Sequence, residues 1–165
     1  KGNTYRISAD VIPCFTLKRY SGVNTVSAEG IKFISDRGET IESFPNQHYS
    51  NGTAKTERTH RLYKRMVRIL KVVYYRLVDA GTISDKLVSS FFIECLVYNV
   101  PDNQFIYNNY TQSLRNVIVK VYEDMKAEVK YEEVSGLRWL FYQGSPRKHD
   151  DAAAFMQACW TYHGY

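Results

Sequence analysis

The stretch Thr53 to Ala80, TAKTERTHRLYKRMVRILKVVYYRLVDA, decides how this chain folds, because it carries the longest helical pattern. Leu62, Met66, Ile69, Val73 and Leu77 follow one another by three or four, and Tyr63, Val67, Leu70, Tyr74 and Val78 form a second row beside them. The two rows make a wide apolar face. Arg61, Lys64, Arg68 and Lys71 are spaced so that their charges line up along another edge. Thr53 or Thr56 serves as a cap and Gly81 as a stop, so a spine helix is expected over about 53–80. The basic row reads either as a solvated helix face or as a track for phosphate.

Outward from this helix the chain changes character near Asn51. Upstream, YRISADVIPCFTL (residues 5–17) is β-branched and aromatic and is expected to be a strand or two short strands broken at Pro13. Residues 21–29 are small and polar and read as a loop. Residues 31–34 and 40–44 read as two strands around the turn 36–39, and FPNQHYSNG (44–52) as a linker. Downstream, 86–98 (KLVSSFFIECLVY) reads as a core helix ended by Pro101, with Glu94 in apolar company and expected to pair with an Arg or Lys of the spine. A third helix is expected from 109 or 111 to 130, a hairpin over 129–140, and a last helix over 150–162.

Composition narrows the class. At 165 residues, with 44% hydrophobic and 24% charged residues, the chain builds a real core, and no apolar run approaches the roughly 18 residues of a membrane span. A net charge of +5 favours polyanionic partners. Cys14, Cys95 and Cys159 sit among apolar neighbours and read as buried free thiols of a cytoplasmic protein. The opening residues KGNTYRISAD carry no signal core and no initiator Met, so the chain is expected to begin inside a larger protein. Phosphate-binding glycine loops, GxSxG elbows and HExxH helices do not occur. What remains is Asp10, an acid on a strand, together with the basic spine row. That pairing suits a nucleoside triphosphate and its divalent cation.

The blocks SADVIPCF, AEGIKFISDRGETIESFPNQHYSNG, THRLYKRMVRILK and SSFFIECLVYNVP, in this order over residues 5–101, resemble the second half of bacterial nucleotidyltransferases of the oligoadenylate synthase and cyclic GMP-AMP synthase type, the CD-NTase-like group. The resemblance implies an α+β fold. Residues 1–50 would be the last strands of a small nucleotidyltransferase palm sheet, and residues 51–165 a mainly helical bundle on the spine helix. It implies NTP substrates joined into cyclic or linear oligonucleotide second messengers, with antiphage signalling as the setting, and Mg²⁺ or Mn²⁺ as the cofactor. It assigns Asp10 as a metal carboxylate able to help deprotonate the attacking hydroxyl, Lys71 as a triphosphate ligand, Ser90 as a phosphate contact and Phe91 as the ring that stacks on a base. Arg68 is expected beside Glu94, while Arg61 and Lys64 read as solvated.

The family's Gly-Ser helix start and its first two aspartates have no counterpart here. The 165-residue chain alone is therefore expected to be inactive, its N-terminal catalytic half cut away, carried on another polypeptide or lost with catalysis. The alternative function is a nucleic-acid-binding helical module that uses the basic spine face. A third possibility is a structural domain that binds protein through its 14 tyrosines.

Overall fold

The computed structural model describes residues 11–36 and 38–165. It divides into two units, Lys1–Asn46 and Gln47–Tyr165. The described part of the first unit is a three-stranded antiparallel sheet in the order β1 (Phe15–Gly22), β2 (Thr25–Ile34), β3 (Thr40–Ser43). β2 and β3 are the strands expected around the 36–39 turn. Residues 21–29, expected as a loop, instead complete β1 and begin β2, leaving only Val23 and Asn24 between them. Asn24 supplies the positive φ (59°) that such a tight connection requires, a conformation asparagine tolerates.

Gly30 of β2 sits where no side chain fits: a Cβ there would lie 2.4 Å from the Ser43 carbonyl oxygen and 2.7 Å from the Phe44 ring. Gly30→Ala should therefore force β3 away and destabilise the sheet by about 1–3 kcal/mol. Hydrogen exchange reads this directly, as lost protection at residues 31–34 and 41–43; unchanged protection would show that the strand gives way without cost.

The second unit is helical. The single spine helix expected over 53–80 is two helices, α1 (Pro45–Arg58) and α2 (Leu62–Asp79). α1 begins at Pro45, eight residues before the expected start, with the ring pre-set at the first helical position. It closes on His60: the His60 amide donates to the Glu57 carbonyl and the Arg61 amide to the Thr56 carbonyl, with φ of 48° at His60 and 68° at Arg61. This is the left-handed helix stop usually made by glycine. Gly81 does the same for α2, where its amide donates to the Val78 carbonyl and that of Thr82 to the Leu77 carbonyl. Thr59, buried at the break, accepts the Tyr63 amide on its hydroxyl and donates to the Lys55 carbonyl, tying the two helices together.

Both predicted apolar rows of α2 face the core. Leu62, Tyr63, Met66, Val67, Leu70, Val73, Tyr74 and Leu77 are buried, with Ile69 and Val78 packed at the margin. α2 contacts α3 (Ser90–Tyr98), α4 (Tyr110–Lys126) and α5 (His149–Tyr162), which makes it the centre of this unit. α3 is shorter than the expected 86–98 because the Ser89 hydroxyl accepts the Phe92 amide and caps it there. α4 stops at Lys126, not 130, on a left-handed Glu128. The hairpin expected over 129–140 reduces to one bridge, Glu132 to Trp139. Two backbone bonds flank that bridge, Glu133 amide to Arg138 carbonyl and Leu140 amide to Tyr131 carbonyl, while the outward backbone groups of Glu132 bond to Asn99 and the Val134 carbonyl accepts from the Asn51 amide.

One buried cation is structural. Lys55 of α1 is 4% exposed and donates to the Val100 carbonyl and to Asp102, which also accepts from Arg58. Burial lowers the Lys55 pKa while Asp102 raises it, and burial is the larger. Burial raises that of Asp102, but the hydrogen bonds and charges of Lys55 and Arg58 outweigh it and the net shift is downward. Of the cysteines, Cys95 and Cys159 are buried and pushed up to about 12 by burial; Cys14, expected to be buried, is exposed.

Candidate functional site

Glu94 collects charge from two helices. It lies on α3 between Ile93 and Cys95, both fully buried, and its own side chain is 15% exposed. Two lysines and a histidine reach it: Lys71 Nζ at 3.3 Å from Oε2, Lys64 Nζ at 3.7 Å from Oε1, and His48 Nε2 at 3.5 Å from Oε1. Lys64 and Lys71 are two turns apart on one edge of α2, so the helical repeat brings both to the same acid. The contact with His48 lowers the Glu94 pKa most, against burial, and Lys71 adds to it; the result is about 2. Tyr63 is fully buried, and its hydroxyl finds no well-formed hydrogen bond among the described residues. Burial raises its pKa, and the Glu94 charge adds to the rise.

The spine cation expected on Glu94 is thus present, and it is Lys71 with Lys64. Arg68 is not there. It is exposed and makes no ion pair among the described residues, so its expected pairing with Glu94 is corrected. Lys64, read as solvated, belongs to this cluster, whereas Arg61 is exposed, as expected. Arg65, also exposed, bonds the Tyr110 hydroxyl and lies over that ring.

Ser90 and Phe91 open α3, one turn before Glu94. Ser90 is half-buried and its hydroxyl makes no hydrogen bond to the described residues, because Ser89 performs the capping. The Phe91 ring is half-buried, with the His48 ring centroid 5.8 Å away and the Arg147 guanidinium 4.9 Å from its centroid. Arg147 in turn pairs with buried Glu133 at 3.3 Å. Burial raises the pKa of Glu133, opposed by Arg147.

Lys71, Ser90 and Phe91 therefore lie on two adjoining helices, around one cluster that also holds Lys64, His48, Glu94 and Arg147. Two lysines against one carboxylate leave a positive charge over, held beside a free hydroxyl and an aromatic ring. Such a surface suits a phosphorylated ligand with a flat apolar part. His48 and Arg147 were not legible in the sequence, since neither shares a helix with the residues it touches.

Asp10 lies outside the described residues. Among the described residues no three His, Cys, Asp or Glu converge in a way that could hold a metal ion. They do not by themselves fit Mg²⁺, which takes oxygen ligands in octahedral geometry. No helix among them is long and apolar enough to cross a membrane.

Residues 50–164 match the family model described as the cGAS/DncV-like nucleotidyltransferase C-terminal helical domain. The chain is 69% identical, over 99% of its length, to a cyclic dipurine nucleotide synthase of Elizabethkingia meningoseptica, and 35% identical, over 98%, to the cyclic dipyrimidine nucleotide synthase CdnE of Cecembia lonarensis. It spans 56% of the length of each of these curated relatives. In structure it is similar to the Elizabethkingia meningoseptica CdnE cyclic dinucleotide synthase solved with GTP and Apcpp: the TM-score is 0.92 at 69% identity, covering 99% of this chain and 60% of that one. The likeness extends to the Rhodothermus marinus CdnE c-UMP-AMP synthase with Apcpp and Upnpp, at a TM-score of 0.81 and 27% identity, covering 94% of this chain and 54% of that one. A buried two-row spine, a lysine edge and a family model matched from within α1 to past the last helix carry one conclusion: this chain belongs to the cGAS/DncV-like nucleotidyltransferases, through their C-terminal helical domain.

Proposed function

We propose that this chain supplies the helical side of the nucleotide site in a synthase that joins purine NTPs into cyclic dinucleotide second messengers, in the cytoplasm and in the service of antiphage signalling. The observation that carries the reading is the 69% identity to a relative named for dipurine synthesis and solved with GTP and Apcpp. Lys71 would neutralise the outer phosphates, Ser90 would donate its hydroxyl to one of them, and Phe91 would stack on a base once the Arg147 side chain makes room. Mg²⁺ or Mn²⁺ would gather phosphate oxygens and lower the charge on the reacting phosphorus. Asp10 would be this chain's ligand to it, and one carboxylate leaves the remaining coordination positions to other groups.

The 165-residue chain alone, with Mg²⁺ or Mn²⁺ and all four NTPs, should yield no phosphodiester product above an Asp10→Ala control. Joined to the part of the Elizabethkingia synthase that it does not span, it should yield cyclic dinucleotide, read by chromatography against purine standards. Product from the chain alone would overturn the expected inactivity. No product from the folded chimera would overturn the synthase reading.

A second reading rests on Arg61, just before α2, and Arg68 on it, both exposed with no side-chain partner among the described residues. Their row would serve as a phosphate track for nucleic acid. Duplex RNA or DNA binding that weakens steeply with salt and is lost in an Arg61→Ala, Arg68→Ala double variant would favour it; NTP binding through Lys71 would be untouched by that variant.

A further inference from the structure

We infer that Glu94 is a positioning residue that holds Lys71 and Lys64 together as a two-lysine clamp for the outer phosphates of a nucleoside triphosphate, so that Lys64 is a further phosphate ligand. This rests on the reading of Lys71 as a triphosphate contact and extends it. The asymmetry of the cluster is what points there. Glu94 sits on a helix whose neighbouring residues are fully buried, so the carboxylate is a fixed anchor. The lysine side chains are 27% and 44% exposed on flexible stems, and each reaches a different oxygen of that one carboxylate.

An ammonium group has three donors; Lys71 spends one on Glu94 Oε2 at 3.3 Å, whereas Lys64, 3.7 Å from Oε1, is held by charge without a hydrogen bond. The remaining donors are left for a ligand on the exposed side. Restricting two long side chains before binding removes part of the ordering cost that two free lysines would meet when phosphate arrives. His48, from α1, takes the same oxygen as Lys64 and closes the anchor on its third side. An ion pair needed only for stability would require one cation. Here two lysines and a histidine converge, and all three stay part-exposed.

The test compares GTP with GMP by titration calorimetry on the chimera described above, in wild type, Glu94→Gln, Lys64→Ala and Lys71→Ala. Glu94→Gln is expected to lower the ratio of GTP to GMP affinity about fivefold to tenfold, because the lysines lose their register although the site becomes more positive. Lys64→Ala is expected to lower GTP affinity by a similar factor and to leave GMP nearly unchanged. A ratio that stays constant in Glu94→Gln, with only a lower melting temperature, would show a merely structural acid. A ratio that rises would show a counter-ion that competes with phosphate. Either result overturns the inference. If Glu94→Gln does not fold, Lys64→Ala decides: full GTP affinity in that variant overturns the clamp. The Lys71→Ala arm separates the two levels, since unchanged GTP affinity there removes the triphosphate reading itself, whereas a loss there with Lys64 and Glu94 silent removes only the clamp.

Discussion

Replacing Lys71 with alanine should weaken GTP binding to the chimera roughly 10- to 100-fold, the size expected when a charge-assisted bond to phosphate worth about 1.5–3 kcal/mol is lost. GMP should weaken far less, because the groups it lacks are those Lys71 is proposed to meet. Cyclic dinucleotide formation at subsaturating NTP should fall by the same factor as GTP affinity, and excess NTP should restore part of it. The fold should hold: Lys71 is part-exposed, and Glu94 keeps Lys64 at 3.7 Å and His48 at 3.5 Å after it is gone. Lys71→Arg should recover only a fraction, since a planar guanidinium cannot share one fixed carboxylate with Lys64 in the same way. Equal loss of GTP and GMP binding would place Lys71 near the sugar or α-phosphate and sink the assignment to the outer phosphates.

How much of this was legible in the sequence depends on the kind of signal. The core rows of α2 were readable because ten apolar residues repeat at helical spacing, and the structure turns them inward. The break at 59–61 was not, because the left-handed stop falls on His60 and Arg61 and lacks the glycine that announces such a stop at Gly81. The first part of α1, 45–52, reads as a linker in sequence for a related reason: the buried positions of this helix are Gly52 and Lys55, with Thr59 just past its end, and they show no apolar period at all. A buried lysine is found only through its partners, here the Val100 carbonyl and Asp102.

The candidate site divides in the same way. That Glu94 needed a cation followed from its apolar neighbours, and the spine was the nearest source. Which cation it took did not follow: Lys64, Arg68 and Lys71 all lie within α2 on one basic edge, separated by at most about 60° of phase, and the packing of α3 decides that Lys64 and Lys71 reach Glu94 while Arg68 stays exposed. His48 and Arg147 reach the cluster from 46 residues before Glu94 and 53 after it, separations that only the fold closes.

Acid should expose the Glu94 cluster more sharply than any surface pair. Folding lowers its pKa from 4.5 to about 2. A carboxylate whose folded pKa lies below its unfolded value stabilises the fold fully above the unfolded value, and that stability is lost as pH falls from about 4.5 toward about 2. The shift corresponds to about 3 kcal/mol at 1.36 kcal/mol per unit, a magnitude reasonable for a side chain only 15% exposed. Urea unfolding at pH 5, 3 and 2 measures it against Glu94→Gln, which keeps the shape and removes the titration. Asp102, also lowered, loses stability over an overlapping range, and Glu133, raised by burial, shifts it the other way. Both act equally in the two proteins, so the difference isolates Glu94. Wild type should lose about 3 kcal/mol more than the variant between pH 5 and pH 2, and should begin more stable, because the variant leaves Lys64 and Lys71 facing one another without a counter-charge. Parallel stability curves would mean that water and the part-exposed lysines already neutralise Glu94 in the unfolded chain as well as in the folded one.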